Sequence, residues 1–125
     1  MDQALKDALQ KSGSVIDITT TGRKSGEARR IEIVFHVFDG TVYISGFPRP
    51  QKRGWLANLE ANPDFTFHLK NDVKADLAAT ARSITDAGER KPILEQVKSS
   101  QDSWNEVTIE DAVKMSPLVE VTFKD

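Results

Sequence analysis

The sequence predicts an α+β fold: a six-stranded, mostly antiparallel sheet closed into a small barrel and flanked by short helices. Three observations predict it. Strand-like runs follow one another through hairpin signals rather than through helical crossovers. Six strands in 125 residues leave too little chain to cover two open sheet faces, and closure removes the exposed edges. No G-x-G-x-x-G and no regular βαβ alternation occurs, which argues against a doubly wound dinucleotide-binding sheet.

The elements read in order. Residues 2 to 11 form a short helix, with Ala4, Leu5, Ala8 and Leu9 as its apolar stripe. Asp2 is its N-cap, and Gly13 stands where a helix C-terminal glycine belongs. Residues 14 to 20 form the first strand. A polar loop with Gly22 and Gly26 follows, and glycine permits a tight or left-handed backbone there. Residues 29 to 38 alternate, with Ile31, Ile33, Phe35 and Val37 on one face and Glu32 and His36 on the other. Asp39-Gly40 is a hairpin signal, and Thr41 to Ser45 returns as its partner strand. Gly46 to Gly54 is a second loop, stiffened by Pro48 and Pro50.

Trp55 to Ala61 reads as a short helix, stopped by Asn62-Pro63. Phe65 to Leu69 is a strand, Asn71-Asp72 a turn, and Val73 to Ser83 a longer strand. Helices cover 86 to 98 and 109 to 115, the latter capped by Thr108 with Glu110 and Asp111 in its first turn. Pro117 opens a last strand through Phe123, where its missing N–H is tolerated.

Residues 1 to 125 are expected to make one domain, with 38% hydrophobic residues for its core. The chain has no cysteine, so it offers neither a disulfide framework nor a thiolate site. No apolar run approaches the ~20 residues of a membrane span, and a cytoplasmic location is the expectation.

Charge is the informative property. Thr19 to Arg30 carries Arg23, Lys24, Arg29 and Arg30 against Glu27 alone, in a chain of net charge -2. Arg49, Lys52 and Arg53 make a second basic segment. Positive charge gathered in two loops of an otherwise acidic chain suits a specific anionic ligand and argues against nucleic acid as partner. In the first loop, backbone N–H groups near the glycines, the Ser25 hydroxyl, and the charges of Arg23, Lys24 and Arg29 can cradle a phosphate. The same loop also reads as a merely solvated basic hairpin. In the second segment, Phe47 and Trp55 beside Lys52 and Arg53 can border a flat anionic ligand. For Trp55 and Leu59 the favoured reading is as core contacts of a short helix, and Asn58 reads as a cap or tie for the loop.

His36 and His68 lack a third ligand at matched spacing, so no metal site is expected. No G-x-S-x-G occurs and no pair of carboxylates stands out, so a cofactor is expected to carry any chemistry.

Thr19-Thr20-Thr21-Gly22-Arg23-Lys24-Ser25-Gly26, the Asp-Gly hairpin, and Trp55-Leu56-Ala57-Asn58-Leu59-Glu60-Ala61-Asn62-Pro63 together resemble the deazaflavin-dependent nitroreductase family. The resemblance runs from about Val15 to Phe123 and includes Phe65 to Leu69, Thr80 to Arg82 and Ser116 to Val121. It implies the split β-barrel of pyridoxamine-phosphate-oxidase-like proteins and the coenzyme F-420, with FMN as the other candidate cofactor. It implies hydride transfer to a small electrophile such as a quinone, enone or nitroaromatic; a homodimer is the candidate assembly. At the matching positions, Arg23, Lys24, Ser25 and Arg29 would surround the phosphate and tail. Ser45 and Gly46, with the Trp55 side chain, would lie beside the ring. Where family members often carry a lysine and glycines after the serine, this chain has Gly46, Phe47 and Pro48, and it has a single tyrosine, Tyr43. The resemblance therefore leaves the substrate open.

Overall fold

In the computed structural model, which describes residues 1–124, six strands close into a barrel in the order β1-β2-β3-β6-β5-β4. The strands are β1 (Val15–Thr21), β2 (Ala28–Phe38), β3 (Thr41–Ser45), β4 (Asp64–Lys70), β5 (Lys74–Ser83) and β6 (Leu118–Phe123). Every pairing is antiparallel. The helices are α1 (Gln3–Ala8), α2 (Gly54–Ala61), α3 (Ala87–Ser100) and α4 (Ile109–Met115), with a 3-10 turn at Asp102–Trp104.

Local chemistry accounts for the boundaries. Asp2, Asp86 and Thr108 accept the N–H of Leu5, Glu89 and Asp111, and so cap α1, α3 and α4. The first helix ends earlier than its apolar stripe suggested. Leu9 closes it, and Gly13 at φ 86 belongs to the turn into β1, where its N–H bonds to the Phe35 carbonyl. Asp39 (φ 52) and Gly40 (φ 77) both adopt the left-handed backbone of the tight β2–β3 hairpin.

Two cores result. The barrel interior holds Ile16, Ile18, Phe35, Ile44, Phe67 and Val119, with Phe35 and Phe67 edge to face at 5.4 Å. Ala8 and Leu9 of the N-terminal segment and Leu59 of α2 join this core. A second cluster gathers Ile84, Ile93, Leu94, Val97, Trp104, Ala112 and Leu118 between α3, α4 and the sheet. The inward face of β2 is the one its alternation predicts. His36, on the opposite face, is buried rather than solvated, because the segment after α3 covers it.

Arg90 holds the second core together. It is buried, and its guanidinium donates to the carbonyls of Ile84 (2.7 Å), Val113 (2.9 Å), Ala112 (3.2 Å) and Ser116. Three of those carbonyls belong to the end of α4 and the residue after it, so one side chain satisfies groups that a helix end leaves open.

Candidate functional site

The first basic loop is a tight turn with an internal hydrogen-bond network. Gly22 N–H bonds to the Glu27 carbonyl and Gly26 N–H to the Gly22 carbonyl, both at 2.8 Å. Glu27 N–H bonds to the Ser25 hydroxyl oxygen at 3.1 Å. The glycine amides expected to face an anion are thus engaged within the turn. Gly26 has φ 73, which explains its glycine. What remains outward is side-chain chemistry: the exposed cations Arg23 and Lys24, and the Ser25 hydroxyl proton. Arg29 is exposed and reaches Glu27 at 3.1 Å, so its charge is partly answered; Arg30 pairs with Asp17 at 2.9 Å.

Asn58 fixes this turn to α2. Its buried side chain accepts from the Arg23 N–H at 3.1 Å and from the Arg23 guanidinium at 3.3 Å. It also donates to the Thr20 hydroxyl at 3.1 Å. The sequence reading of Asn58 as a tie is the one the geometry gives. Trp55, one turn earlier on α2, is half-buried against the barrel core, and Leu59 is wholly inside it. The core reading of this pair describes Leu59 fully and Trp55 in part.

Ser45 is buried at the end of β3, and Gly46, partly exposed, follows it. They share a cleft of about 170 Å³ with Val34, His36, Phe47 and Trp104. Phe47 stacks on Trp104 at 5.6 Å. The Ser45 hydroxyl donates to the Pro117 carbonyl at 2.7 Å, so it holds the end of β3 against β6. His36 contributes a buried Nδ1 with no hydrogen-bond partner, and burial lowers its pKa to about 4. The imidazole is neutral at ordinary pH, and its Nδ1 can still meet a polar group. Sequence reasoning missed His36 and Trp104 here. The alternation in β2 placed His36 outward, and nothing local told which later segment would cover it.

Lys52 and Arg53 turn into a third region. Lys52 pairs with Glu60. Arg53 donates to the Phe47 carbonyl and packs against Gly46, where an added Cβ would meet its guanidinium at 3.2 Å and Pro117 at 3.3 Å. Glycine at 46 is what lets Arg53 lie there. The Arg53 Nη1 is buried with no partner, and burial and then the nearby Arg49 lower its pKa.

His68 is not idle. Its Nδ1 lies 2.6 Å from Asp76 and its Nε2 2.7 Å from the Thr19 hydroxyl. Neighbours on this outer barrel face are Asp17 and Lys70, joined at 2.7 Å. This chain of groups reads as strand-to-strand bonding, and no group of three metal-ligating side chains occurs among the described residues.

The site therefore has an anion-facing turn with exposed cations, a neighbouring half-buried tryptophan, and a separate aromatic cleft at the end of β3. All of these features are carried by one closed antiparallel barrel. The sequence model of the F-420H(2)-dependent quinone reductase family matches residues 4–110, and the chain belongs to that family of F-420-dependent oxidoreductases. No curated protein matches the chain.

Solved structures with the same fold include an F-420-H2-dependent reductase, FDR-A, at 22% identity and TM-score 0.60, covering 86% of this chain and 93% of that one. A putative pyridoxamine 5'-phosphate oxidase from Listeria innocua matches at 15% identity and TM-score 0.64, covering 97% and 94%. A structure described as a domain-swapped dimer matches at 20% identity and TM-score 0.65, covering 96% and 92%. At these identities the likeness shows the fold, a split barrel. No helix among the described residues is long and apolar enough to cross a membrane.

The residues present fit the family's coenzyme. Its phosphate and glutamate tail are anionic, and the turn offers two exposed cations without an ionic partner among the described residues. Exposed Phe47, stacked on buried Trp104, and half-buried Trp55 offer aromatic surface for a flat ring.

Proposed function

We propose that this chain binds coenzyme F-420 and reduces a small electrophile, a quinone, enone or nitroaromatic. The observation that carries the reading is the Arg23–Asn58 tie: exposed cations sit on a turn locked to the helix that also bears Trp55. When bound, the coenzyme supplies a hydride. The protein's part is binding, orientation and exclusion of water. Arg23 and Lys24 attract and hold the anionic end, with Ser25 and Arg29 beside them. Asn58 keeps the turn from moving away, so little order must be gained on binding. Trp55 supports the neighbouring part of the ligand. Ser45 and Gly46, at the Phe47–Trp104 cleft, border the reacting end, with neutral His36 buried behind them. Lys52 and Arg53 add positive potential from the next loop.

The cation count favours the deazaflavin over FMN, which has one phosphate and no glutamate tail. Pairing of two copies is also proposed, on the exposed Phe47 (48% accessible) beside the cleft. Parallel titration of the purified protein with coenzyme F-420, FMN and haem tests the cofactor, followed by turnover with menadione and a nitroaromatic. Saturable binding of F-420 with turnover is the expected result. Tighter binding of FMN overturns the cofactor assignment. Tight F-420 binding without turnover of either substrate makes the protein a carrier.

A further inference from the structure

Helix α2 separates the two basic segments. Asn58 faces Thr20 and Arg23, whereas Leu56 and Glu60, four residues apart, face a groove of about 320 Å³ on the other side. Its far wall is the end of β5 and the turn from α4 into β6, with Ser83, Lys114, Ser116 and Pro117. None of the 22–30 turn lines it.

The groove is built of donors. Arg49, Lys52, Arg53, Arg90 and Lys114 border it, and Glu60 is the single carboxylate. Glu60 is already engaged by Lys52 and by the Ser83 hydroxyl at 2.9 Å. Arg90 is engaged by backbone carbonyls. Arg49 and Lys114 are exposed and have no ionic partner among the described residues. Two further groups are buried and unanswered: the Ser116 hydroxyl, on a residue 3% exposed, and Arg53 Nη1. A buried donor without a partner costs about 1–3 kcal/mol. Finally, α2 has no side-chain N-cap, unlike α1, α3 and α4, and its first turn begins between Arg53 and Leu56 at the groove's edge. Residues that carry an uncapped helix start, an unmet guanidinium nitrogen, an unmet hydroxyl and free cations thus border one groove, whose single carboxylate is already engaged.

We propose that this groove binds the phosphate or carboxylate group of a small molecule, at a site separate from the coenzyme's anionic end. Its volume leaves room for a body beyond the anion. The site stands on groups that the coenzyme reading does not use for its phosphate, apart from Lys52 and Arg53, which it reassigns to the second ligand.

Inorganic phosphate is the probe, titrated by calorimetry and thermal unfolding at constant ionic strength set with chloride, and coenzyme F-420 is titrated in parallel. The charge-reversed double variant Arg49→Glu/Lys114→Glu changes two exposed side chains. It is expected to lower phosphate affinity at least about tenfold and to leave F-420 affinity within about twofold. Ser116→Ala, a smaller change, is expected to weaken phosphate about threefold or more. Equal phosphate binding by wild type and the double variant overturns the site, as does stabilisation by chloride that matches phosphate. Competition between phosphate and F-420, with both lost in the double variant, places the coenzyme's tail in the groove and overturns the separate site. Phosphate bound and F-420 not bound by the wild type leaves the groove standing and removes the coenzyme reading instead.

Discussion

In the β1–β2 turn, cations point outward from a backbone whose amides are bonded to one another; in the 46–54 segment, a cation is folded beneath Gly46 and Pro117 with a donor left unmet. The two segments look alike in sequence, each rich in Arg and Lys. Their difference comes from what each loop joins. The first joins paired strands and is closed by its own hydrogen bonds. The second crosses from β3 to α2 and must fit between β6 and the helix. Charge on a self-bonded hairpin stays in water, where it attracts a ligand at little cost in stability. Charge on a crossing loop is drawn into packing, where it shapes a groove.

The largest break in this comparison should come from Arg90→Met. It removes the donor of four carbonyls at the groove's wall, and charged hydrogen bonds contribute about 1.5–3 kcal/mol each without full additivity. A stability loss of at least about 3 kcal/mol is expected in urea denaturation. F-420 affinity per folded molecule should hold, because the β1–β2 turn is on the other side of α2.

Acid separates the regions next. His36 takes no proton in the folded state until about pH 4, whereas an unfolded histidine takes one near 6.5. The unfolded chain therefore binds more protons between those values, and stability falls as pH drops from about 6.5 to 4, by up to about 3 kcal/mol. His36→Phe should flatten that window in pH-dependent denaturation. Asp17, whose carboxyl Lys70 and Arg30 hold below the usual range, loses its contribution only below about pH 4.

Arg23→Ala/Lys24→Ala tests the outward turn alone. It should weaken F-420 binding by about 1–3 kcal/mol and lower stability by less than about 1 kcal/mol, because the backbone bond from Arg23 to Asn58 remains when the guanidinium bond is lost. Unaltered affinity in calorimetry ends the phosphate assignment. The smallest effect belongs to Asn58→Ala, which loses the tie to Arg23 and Thr20. About 1–2 kcal/mol of stability should go, together with part of the F-420 affinity, as the turn loosens.

The barrel was legible because its strands announce themselves locally: the alternation in β2, the Asp39-Gly40 hairpin and the Thr108 cap each act within a few residues. The turn's cations and the Asn58 tie were legible too, on the ordered motif that contains them. Tertiary burial was not. Ala-Gly-Glu-Arg-Lys-Pro reads as a polar helix start, yet Arg90 is buried because three of its four partner carbonyls lie more than twenty residues away, at the end of α4 and the residue after it. His36 sits at an outward strand position and is covered by a segment some 65 residues later. The Gly22 and Gly26 amides looked free in sequence because a turn's internal pairing depends on its exact backbone path.

Strand β1 pairs with β2 along Val15 to Thr21 but with β4 only at Asp17 to Thr19. Beyond that short seam Thr20 and Thr21 part from β4, and Asn58 reaches Thr20 there. Amide exchange should thus begin where the seam ends, as the first local opening of the native state. A ligand gripping Arg23 and Lys24 while α2 holds the turn would pull the parted strand end closed. Slower exchange at Thr20, Thr21 and Asn58 would then report occupancy before any chemistry takes place.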